Sequence, residues 1–227
     1  MAKAAPKAKE EKRILIVDDH PVFREGLAAL IRRHAGWVIC GEAENASQAL
    51  TALERLNPDL VVADIGLPGK SGLELIKDVL AVRPETLVLV ISMHDETLYA
   101  ERVLRAGGRG YIMKQEGPEK ILHAITQVLE GQVYLSGPMS GRVLDAFSRK
   151  NAKTRSPLAR LTDRELEILR LLGHGKDSHA IGKQLHVSYK TVDAHRGHIK
   201  EKLELKNGTE LICFAARWVA TETPLER

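Results

Sequence analysis

Short apolar runs alternate with longer amphipathic segments through the first half of the chain. The five apolar runs are Ile14–Val17, Trp37–Cys40, Leu60–Ala63, Leu87–Ser92 and Gly110–Met113. The five segments with helical periodicity are Val22–Arg33, Ser47–Leu56, Ser71–Val82, Glu96–Ala106 and Pro118–Glu130. Short apolar strands separated by helices are typical of a parallel sheet covered on both faces. The pattern predicts a doubly wound α/β domain with a five-stranded parallel sheet, whose functional residues lie at the carboxyl ends of the strands.

The pattern changes after Gly131. A break at Ser136–Pro138 is followed by a stretch rich in Arg, Lys, Ser and Asn, with a short amphipathic piece around Val143–Phe147. No strand pattern returns, and the later helical segments are Asp163–Leu172, Ser178–Leu185, Tyr189–Leu203 and Thr209–Val219. We therefore predict a disordered tail over residues 1–11, an α/β domain over 12–133, a linker over 134–157 and a smaller all-α domain over 158–222.

Composition is ordinary for a protein of two globular domains. Of the 227 residues, 44% are hydrophobic and 28% are charged, which does not indicate a fibrous or a wholly disordered chain. The longest apolar run, Leu87–Ile91, is far shorter than the ~20 residues that a membrane-spanning helix requires. The start of the chain lacks the apolar stretch of a signal peptide. We expect a cytoplasmic protein with no membrane partner.

The net charge of +4 is concentrated in the second half of the chain. Residues 1–150 contain 20 Lys and Arg against 20 Asp and Glu, whereas residues 151–227 contain 14 against 10. A modest positive excess on a small domain is a weak indication of nucleic-acid binding. Whether that domain binds nucleic acid must be judged from its sequence motifs.

The two cysteines lie in different predicted domains. Cys40 and Cys213 each stand among apolar neighbours. This setting favours buried thiols over a disulfide or a metal site.

Charged residues follow three of the predicted strands. Asp18 and Asp19 come after the first strand, Asp64 after the third and Lys114 after the fifth. Three carboxylates at one sheet edge repel one another unless a dication and the lysine offset their charge. Oxygen ligands favour Mg²⁺ over zinc. Because Ser92 ends the fourth strand nearby, the set could hold a phosphoryl group, with the Asp64 carboxylate as nucleophile towards a phosphodonor.

These residues stand in motifs that resemble the receiver domain of two-component response regulators, which has a flavodoxin-like fold. The motifs are Val17–Pro21, Asp64–Pro68, Ser92 and Gly110–Lys114, and the match spans about residues 12–133. The resemblance implies that a sensor histidine kinase phosphorylates this domain on Asp64.

The resemblance also implies roles for the neighbours of the phosphoacceptor. Asp19 would be a direct Mg²⁺ ligand and Asp18 a water-mediated one. The backbone carbonyl of Gly66 would complete the set of protein ligands. Lys114 would pair with the phosphoryl group. Ser92 would turn towards the phosphoryl oxygens and Tyr111 would change rotamer with it, which alters the face made by the fourth helix, fifth strand and fifth helix.

The all-α segment contains clear helix signals. Thr162 and Glu165 form a predicted capping box, and Ser178 and Ser188 are predicted to cap the next two helices. In the longer of these, the inward positions are Val192, His195, Ile199 and Leu203. The outward positions are Lys190, Asp193, Ala194, Arg196, Gly197 and Lys200. That outward face suits a DNA groove.

Residues from Leu161 to Trp218 resemble the LuxR-type helix-turn-helix of the NarL/FixJ family, notably at Leu161–Thr162, Lys190–Val192 and His195–Arg196. By position, Tyr189–Leu203 would be the recognition helix. The implied contacts to double-stranded DNA are Ser188, Lys190, Thr191, Asp193, Ala194, Arg196 and Lys200. The resemblance further suggests a homodimer after phosphorylation through the last helix, whose apolar residues would otherwise be core.

Three positions depart from the family pattern. Asp193 and Gly197 stand where a basic or polar residue is common, so Asp193 either accepts a hydrogen bond from cytosine N4 or only excludes other sequences. Ala180 replaces a common acidic residue, which puts one supporting salt bridge in doubt. His195 and His198 are three residues apart, but no Cys or acid is seen to complete a metal site, and we expect none there.

The combined pattern predicts a DNA-binding transcriptional response regulator and not an enzyme. An alternative is a regulator that acts by protein contact or independently of phosphorylation. A phosphatase with an aspartate nucleophile would carry a second Asp two residues after the first, and that position is Gly66.

Overall fold

A computed structural model describes residues 11–141 and 157–222 of the chain. The first part is a parallel sheet in the order β2-β1-β3-β4-β5. Its strands are β1 (Lys12–Val17), β2 (Trp37–Ala43), β3 (Leu60–Ala63), β4 (Leu87–Ser92) and β5 (Gly110–Met113). Its helices are α1 (Pro21–Arg32), α2 (Ala46–Leu56), α3 (Gly72–Val82), α4 (Glu96–Ala106) and α5 (Pro118–Leu129). The predicted doubly wound α/β architecture is confirmed.

Alternation along the central strands divides the apolar core between the two faces of the sheet. Ile14 and Ile16 of β1 belong to one buried cluster, and Leu15 and Val17 belong to the other. All four side chains are fully buried. Successive residues of a strand point to opposite faces, so a strand covered on both sides must be apolar throughout. This explains why these strands lack an apolar–polar alternation.

The strand register fixes which residues meet at the carboxyl edge of the sheet. Val17 of β1 lies opposite Ala63 of β3, so the residues that follow them emerge side by side. On the other flank, the backbone N–H of Lys114 donates to the carbonyl of Ser92 at 2.8 Å. The topology therefore brings the ends of β1, β3, β4 and β5 to one place.

The second part of the chain is helical. A 3₁₀ turn (Pro157–Arg160) precedes α6 (Asp163–Gly173), α7 (Ser178–Gln184), α8 (Tyr189–Lys202) and α9 (Gly208–Glu222). The predicted capping box of α6 is present, and Ser188 caps α8. The cap predicted at Ser178 is wrong, because Asp177 accepts the hydrogen bond from Ala180 N and begins α7 one residue earlier.

The cysteines are less enclosed than predicted. The Sγ of half-buried Cys40 donates to the carbonyl of Ile14 at 3.4 Å, and burial raises the pKa of this thiol. Cys213 is exposed, so the prediction of a buried thiol is wrong there. The buried stripe of α9 is Leu211, Ala215 and Val219, and a residue two positions from Leu211 faces away from such a stripe.

Three predictions concern residues that lie mostly or wholly outside the described ranges, namely the tail over 1–11, the linker over 134–157 and the amphipathic piece around Val143–Phe147. Among the helices of residues 11–141 and 157–222, none is long and apolar enough to cross a membrane.

Candidate functional site

Lys114 joins two carboxylates at the carboxyl edge of the sheet. Its Nζ lies 2.6 Å from Oδ2 of Asp64 and 2.7 Å from Oδ2 of Asp18. The three side chains are almost fully enclosed, at 3 to 5% exposure. The ammonium also lies 4.6 Å from the ring centroid of Phe23, in cation–π distance. The predicted convergence of Asp18, Asp64 and Lys114 is thus present in the structure.

The charges in this pocket keep Asp64 ionised. Burial raises the pKa of Asp64, but the charge and hydrogen bond of Lys114, with hydrogen bonds from Gly66 and Ser92, outweigh burial and lower it. Burial lowers the pKa of Lys114, and the two carboxylates outweigh this and raise it. An ionised, enclosed carboxylate beside a fixed cation is suited to attack phosphorus, because both the nucleophile and the charge that receives the phosphoryl oxygens are in place.

Asp19 carries a buried oxygen that lacks a hydrogen bond. Nδ1 of His20 lies 2.8 Å from Asp19 Oδ1, but Oδ1 has no hydrogen-bond partner among the described residues. Burial raises the pKa of Asp19; Asp64 and Asp18 raise it further, while His20 lowers it. One ligand atom from each of Asp18, Asp19, His20 and Asp64 lies within 4.8 Å of the others. An unpartnered carboxylate oxygen within such an acid cluster fits a hard divalent cation such as Mg²⁺.

The loop after β3 is built closely around Asp64. The backbone N–H of Gly66 donates to Asp64 Oδ1 at 3.2 Å. Ser71 and Glu74 form a capping box at the start of α3. A Cβ on Gly72 would lie 2.1 Å from the carbonyl oxygen of Asp64. Only glycine permits this approach of α3 to the site.

Ser92 and Tyr111 are fully buried beside the acid pocket. Ser92 is within hydrogen-bonding reach of both the Asp64 carboxylate and the Tyr111 hydroxyl. Tyr111 donates its hydroxyl to the carbonyl of His94 at 2.7 Å, and the N–H of His94 donates to Ser92 Oγ at 3.4 Å. Burial raises the pKa of Tyr111 well above its usual value, so the phenol stays protonated. A continuous chain of polar contacts leads from Asp64 to His94.

The side chain of His94 continues this chain to the helical domain. Nη1 of Arg170, on α6, lies 2.9 Å from Nδ1 of His94. Arginine can only donate, so Nδ1 accepts and the imidazole is neutral. Burial first, and the charge of Arg170 next, lower the pKa of His94 to about 4.

Helix α8 presents the residues predicted to face DNA. Ser188, Lys190, Thr191, Asp193 and Ala194 are exposed, while Arg196, Gly197 and Lys200 are half-buried. Val192 and Ile199 are fully buried on the opposite side, and His195 and Leu203 are half-buried. The Oγ of Ser188 accepts from Thr191 N at 3.1 Å and lies 2.8 Å from Thr191 Oγ1. Ser188 therefore caps the start of α8.

A polar triad fastens α8 to α7. Nη1 of Arg196 donates to Ser178 Oγ at 2.6 Å and lies 3.4 Å from Asp193 Oδ1. Ser178 in turn donates to Asp193 Oδ1 at 2.6 Å. Ala180 has no polar side chain, so Ser178 supplies the contact of α7 with Asp193 and Arg196 of α8. One Asp193 oxygen is engaged within the protein and is not free for a base.

An acid does lie beside the two histidines of α8, contrary to the sequence-based expectation. Ligand atoms of Glu165, His195 and His198 lie within 4.8 Å of one another. The sequence hides this proximity because Glu165 belongs to α6. Both Glu165 oxygens, however, accept from Lys202 Nζ at 2.9 and 2.7 Å, and one also accepts from Thr162 N at 2.7 Å. Glu165 is committed to an ion pair and a helix cap.

Two family models match the chain. The response regulator receiver domain matches residues 14–126, and the luxR family of bacterial regulatory proteins matches residues 159–215. The oxygen regulatory protein NreC of Staphylococcus carnosus (strain TM300) is 32% identical over 210 residues, which are 90% of this chain and 97% of that protein. The chain is a response regulator of the NarL/FixJ family. Members of this family are DNA-binding transcription regulators and not enzymes.

Further relatives cover both domains of the response regulator. The transcriptional regulatory protein DegU of Brevibacillus brevis is 29% identical over 222 residues, 91% of this chain and 94% of that protein. RcsB of Salmonella enterica serovar Typhimurium, bound to promoter P1flhDC in the presence of the phosphomimetic BeF3⁻, superposes with a TM-score of 0.66 over 92% of this chain and 100% of that chain. Its identity is 24%, so this likeness concerns the fold.

Sequence reasoning missed three residues of the response regulator's polar networks. His20 and His94 stand one and two residues beyond Asp19 and Ser92, so adjacency to a strand end was the available signal. Ser178 carries no such signal, because a serine before a helical segment predicts an N-cap. Residues that come into contact only through tertiary packing produce no periodic pattern in the sequence.

Proposed function

We propose that this response regulator accepts a phosphoryl group on Asp64 from a sensor histidine kinase and then binds double-stranded DNA as a homodimer to control transcription. The observation that carries the proposal is the enclosed contact of Lys114 with Asp64 and Asp18, with Ser92 beside it. A family member with this pocket intact has the groups that phosphoryl transfer requires.

The chemistry follows from the residues in the pocket. An ionised oxygen of Asp64 attacks the phosphorus of the donor, a P–O bond forms, and the bond from phosphorus to the donor's nitrogen breaks as the histidine ring leaves. Lys114 and the Ser92 hydroxyl then face the phosphoryl oxygens, and Tyr111 lies behind them. Bound Mg²⁺ would neutralise charge on those oxygens, held by Asp19, Asp64, the carbonyl of Gly66 and, through water, Asp18.

The exposed face of α8 is the proposed DNA-reading surface. Its proposed contacts to phosphates and base edges are Ser188, Lys190, Thr191, Asp193, Ala194, Arg196 and Lys200. Exposed Ile212 on α9 supports a homodimer contact there, since Leu211 and Ala215 of the same helix are already used by the core. We assign the receiver to residues 12–133, a linker to 134–157 and the DNA-binding domain to 158–222. We place the protein in the cytoplasm, where DNA is found.

The test combines phosphorylation with DNA binding. Wild type, Asp64→Asn and the surface control Asp78→Asn, whose partner is Lys70, are incubated with Mg²⁺ and acetyl phosphate. We expect the mass of one phosphoryl group on wild type and control only, together with tighter binding to duplex DNA. A labelled Asp64→Asn protein would refute the site. Absence of label from wild type, even with a purified kinase, would instead favour a regulator that works without phosphorylation.

A further inference from the structure

We propose that Glu165, His195 and His198 form a binding site for Zn²⁺ between α6 and α8 of the helical domain. The ligand atoms of these three side chains lie within 4.8 Å of one another. Two imidazoles and a carboxylate are a known ligand set for zinc, with water in the fourth position. The site is separate from the acid pocket of the receiver and does not depend on phosphorylation of Asp64.

The donor atoms of the two candidate metal sites select different ions. The acid pocket offers three carboxylates beside His20, and hard oxygen ligands favour Mg²⁺. Between α6 and α8, two of the three ligands are imidazoles, which suit zinc and other transition-metal ions better than Mg²⁺. Excess Mg²⁺ should therefore fill the acid pocket without occupying the site in the helical domain.

The helix geometry brings the two histidines to one side of α8. Residues three apart on a helix are neighbours on its surface, and the ring centroids of His195 and His198 are 6.3 Å apart. Tetrahedral coordination at usual zinc distances places ligand atoms about 3.3 Å apart, so no pair needs to approach by more than about 1.5 Å. His198 is exposed and His195 half-buried. Side-chain rotations can therefore close the site without movement of the helices.

His195 brings an unsatisfied polar atom to this place. Its Nδ1 is buried and has no hydrogen-bond partner among the described residues. A buried polar atom without a partner costs free energy. A metal ion would provide the partner that the protein does not.

Glu165 is held in position by a contact that metal binding can leave intact. Its side chain is only 3% exposed, and its Oε2 accepts from Thr162 N at 2.7 Å. Among the described residues, Oε1 accepts only from Lys202 Nζ, at 2.9 Å. Hydrogen bonds to a carboxylate fix its orientation and support its role as a ligand. Oε1 can thus pass from Lys202 to a metal ion while Oε2 keeps the helix cap.

Lys202 is the competitor of the metal ion. Its ammonium neutralises Glu165 in the metal-free protein, but its side chain is 35% exposed and can turn to water. Arg164, the other cation that acts on His195, is paired with Glu167 at 2.9 Å. Zn²⁺ carries two charges and binds the histidines as well, so it can displace the single ammonium. Removal of Lys202 should therefore strengthen zinc binding.

A bound ion connects the recognition helix to the helix that supports it. Glu165 belongs to α6, and both histidines belong to α8. An ion that binds the folded domain and not the unfolded chain stabilises the fold as its concentration rises. The stability of the helical domain would then depend on the concentration of free Zn²⁺.

The test titrates the metal-free full chain with Zn²⁺ in excess Mg²⁺, against a chromophoric chelator. His198→Gln removes an exposed ligand, and its control is His179→Gln, an exposed histidine of the same domain that stacks on Tyr189. Lys202→Met removes the competitor, and its control is Lys206→Met, an exposed lysine. Backbone amide exchange across α6 and α8 is measured for wild type and His198→Gln with and without Zn²⁺.

We expect zinc binding at least about tenfold weaker in His198→Gln than in wild type. Lys202→Met should bind zinc up to about fivefold more tightly, because it lacks the competing ion pair. Both control variants should match wild type, and any zinc in the receiver pocket is common to all the proteins. Zn²⁺ should slow exchange across α6 and α8 in wild type only. Equal zinc affinity of wild type and His198→Gln would overturn the site, as would weaker binding by Lys202→Met.

Discussion

Nζ of Lys114 lies 2.6 Å from Oδ2 of Asp64, and both side chains are almost completely shielded from solvent. The same ammonium holds Asp18 at 2.7 Å. One cation thus neutralises two enclosed carboxylates. The pocket therefore affects the stability of the folded receiver as well as its chemistry.

Lys114→Met should destabilise the receiver strongly when no metal is present. Removing one partner of a buried ion pair leaves an uncompensated charge and costs about 3 to 5 kcal/mol. Urea unfolding in a chelator measures the loss, and Mg²⁺ should restore part of it. The control Lys120→Met removes a surface ion pair with Glu116 and should leave the urea midpoint unchanged. Equal stability of Lys114→Met and wild type in chelator would contradict the buried pair.

Gly72→Ala should disrupt the loop that carries Asp64. The new Cβ would meet the carbonyl oxygen of Asp64 at 2.1 Å, and backbone cannot yield as a flexible side chain does. Overpacking of this kind costs about 1 to 3 kcal/mol, and we expect slower phosphorylation by acetyl phosphate as well. At Gly117, the N-cap of α5, a Cβ meets nothing within 4 Å. Gly117→Ala should therefore match wild type, and similar behaviour of the two variants would disprove the steric argument.

The ion pair of Glu165 and Lys202 should make the helical domain sensitive to acid. Burial raises the pKa of Glu165, but the Lys202 ammonium and the Thr162 hydrogen bonds outweigh it and lower the pKa below its usual 4.5. A lowered carboxyl pKa contributes stability above the unfolded value, and this stability is lost as pH falls through the folded value. Thermal unfolding of wild type and Lys202→Met between pH 7 and pH 3 tests this. The unfolding midpoints of wild type and Lys202→Met should converge in acid. A constant difference between them would show that the ion pair does not cause the acid sensitivity.

Ser178→Ala should weaken DNA binding although Ser178 is only 7% exposed. The variant removes the hydroxyl that holds Arg196 and Asp193, and a hydrogen bond of this kind contributes about 1 kcal/mol, or roughly fivefold in affinity. Titration of duplex DNA at several salt concentrations should show weaker binding with an unchanged salt slope, because no phosphate contact is lost. Thr209→Ala, at the exposed start of α9, serves as the control. A reduced slope would indicate that a phosphate contact of Ser178 or of Arg196 is lost with the hydroxyl.

The strands and the acid pocket could be predicted because each depends on local pattern. Apolar runs such as Leu60–Ala63 specify buried strands, and parallel strands bring their carboxyl ends together. The sequence pattern therefore predicts that Asp18, Asp64 and Lys114 lie at one edge of the sheet. The capping box of Thr162 and Glu165 is likewise encoded within four residues.

The features that could not be predicted depend on contacts between segments far apart in the chain. Asp177 and Ser178 are both good N-cap residues; Asp177 caps the helix, and the Ser178 hydroxyl donates to Asp193 instead. His94 and Arg170 are 76 residues apart; the strand end before His94 marks that position alone, and nothing in the sequence indicates that the two side chains meet. Cys213 lies among apolar residues, yet the direction of its side chain depends on which stripe of α9 faces the domain.

One cluster of buried apolar side chains runs from the receiver into the helical domain, and it includes Ile76 and Val103 on one side and Leu158 and Leu161 on the other. Separating the domains exposes part of that surface to water, so their association carries a negative heat-capacity change. Apolar association weakens on cooling. The balance between joined and separated domains is therefore a function of temperature, and cooling should increase the fraction of molecules whose domains are separated.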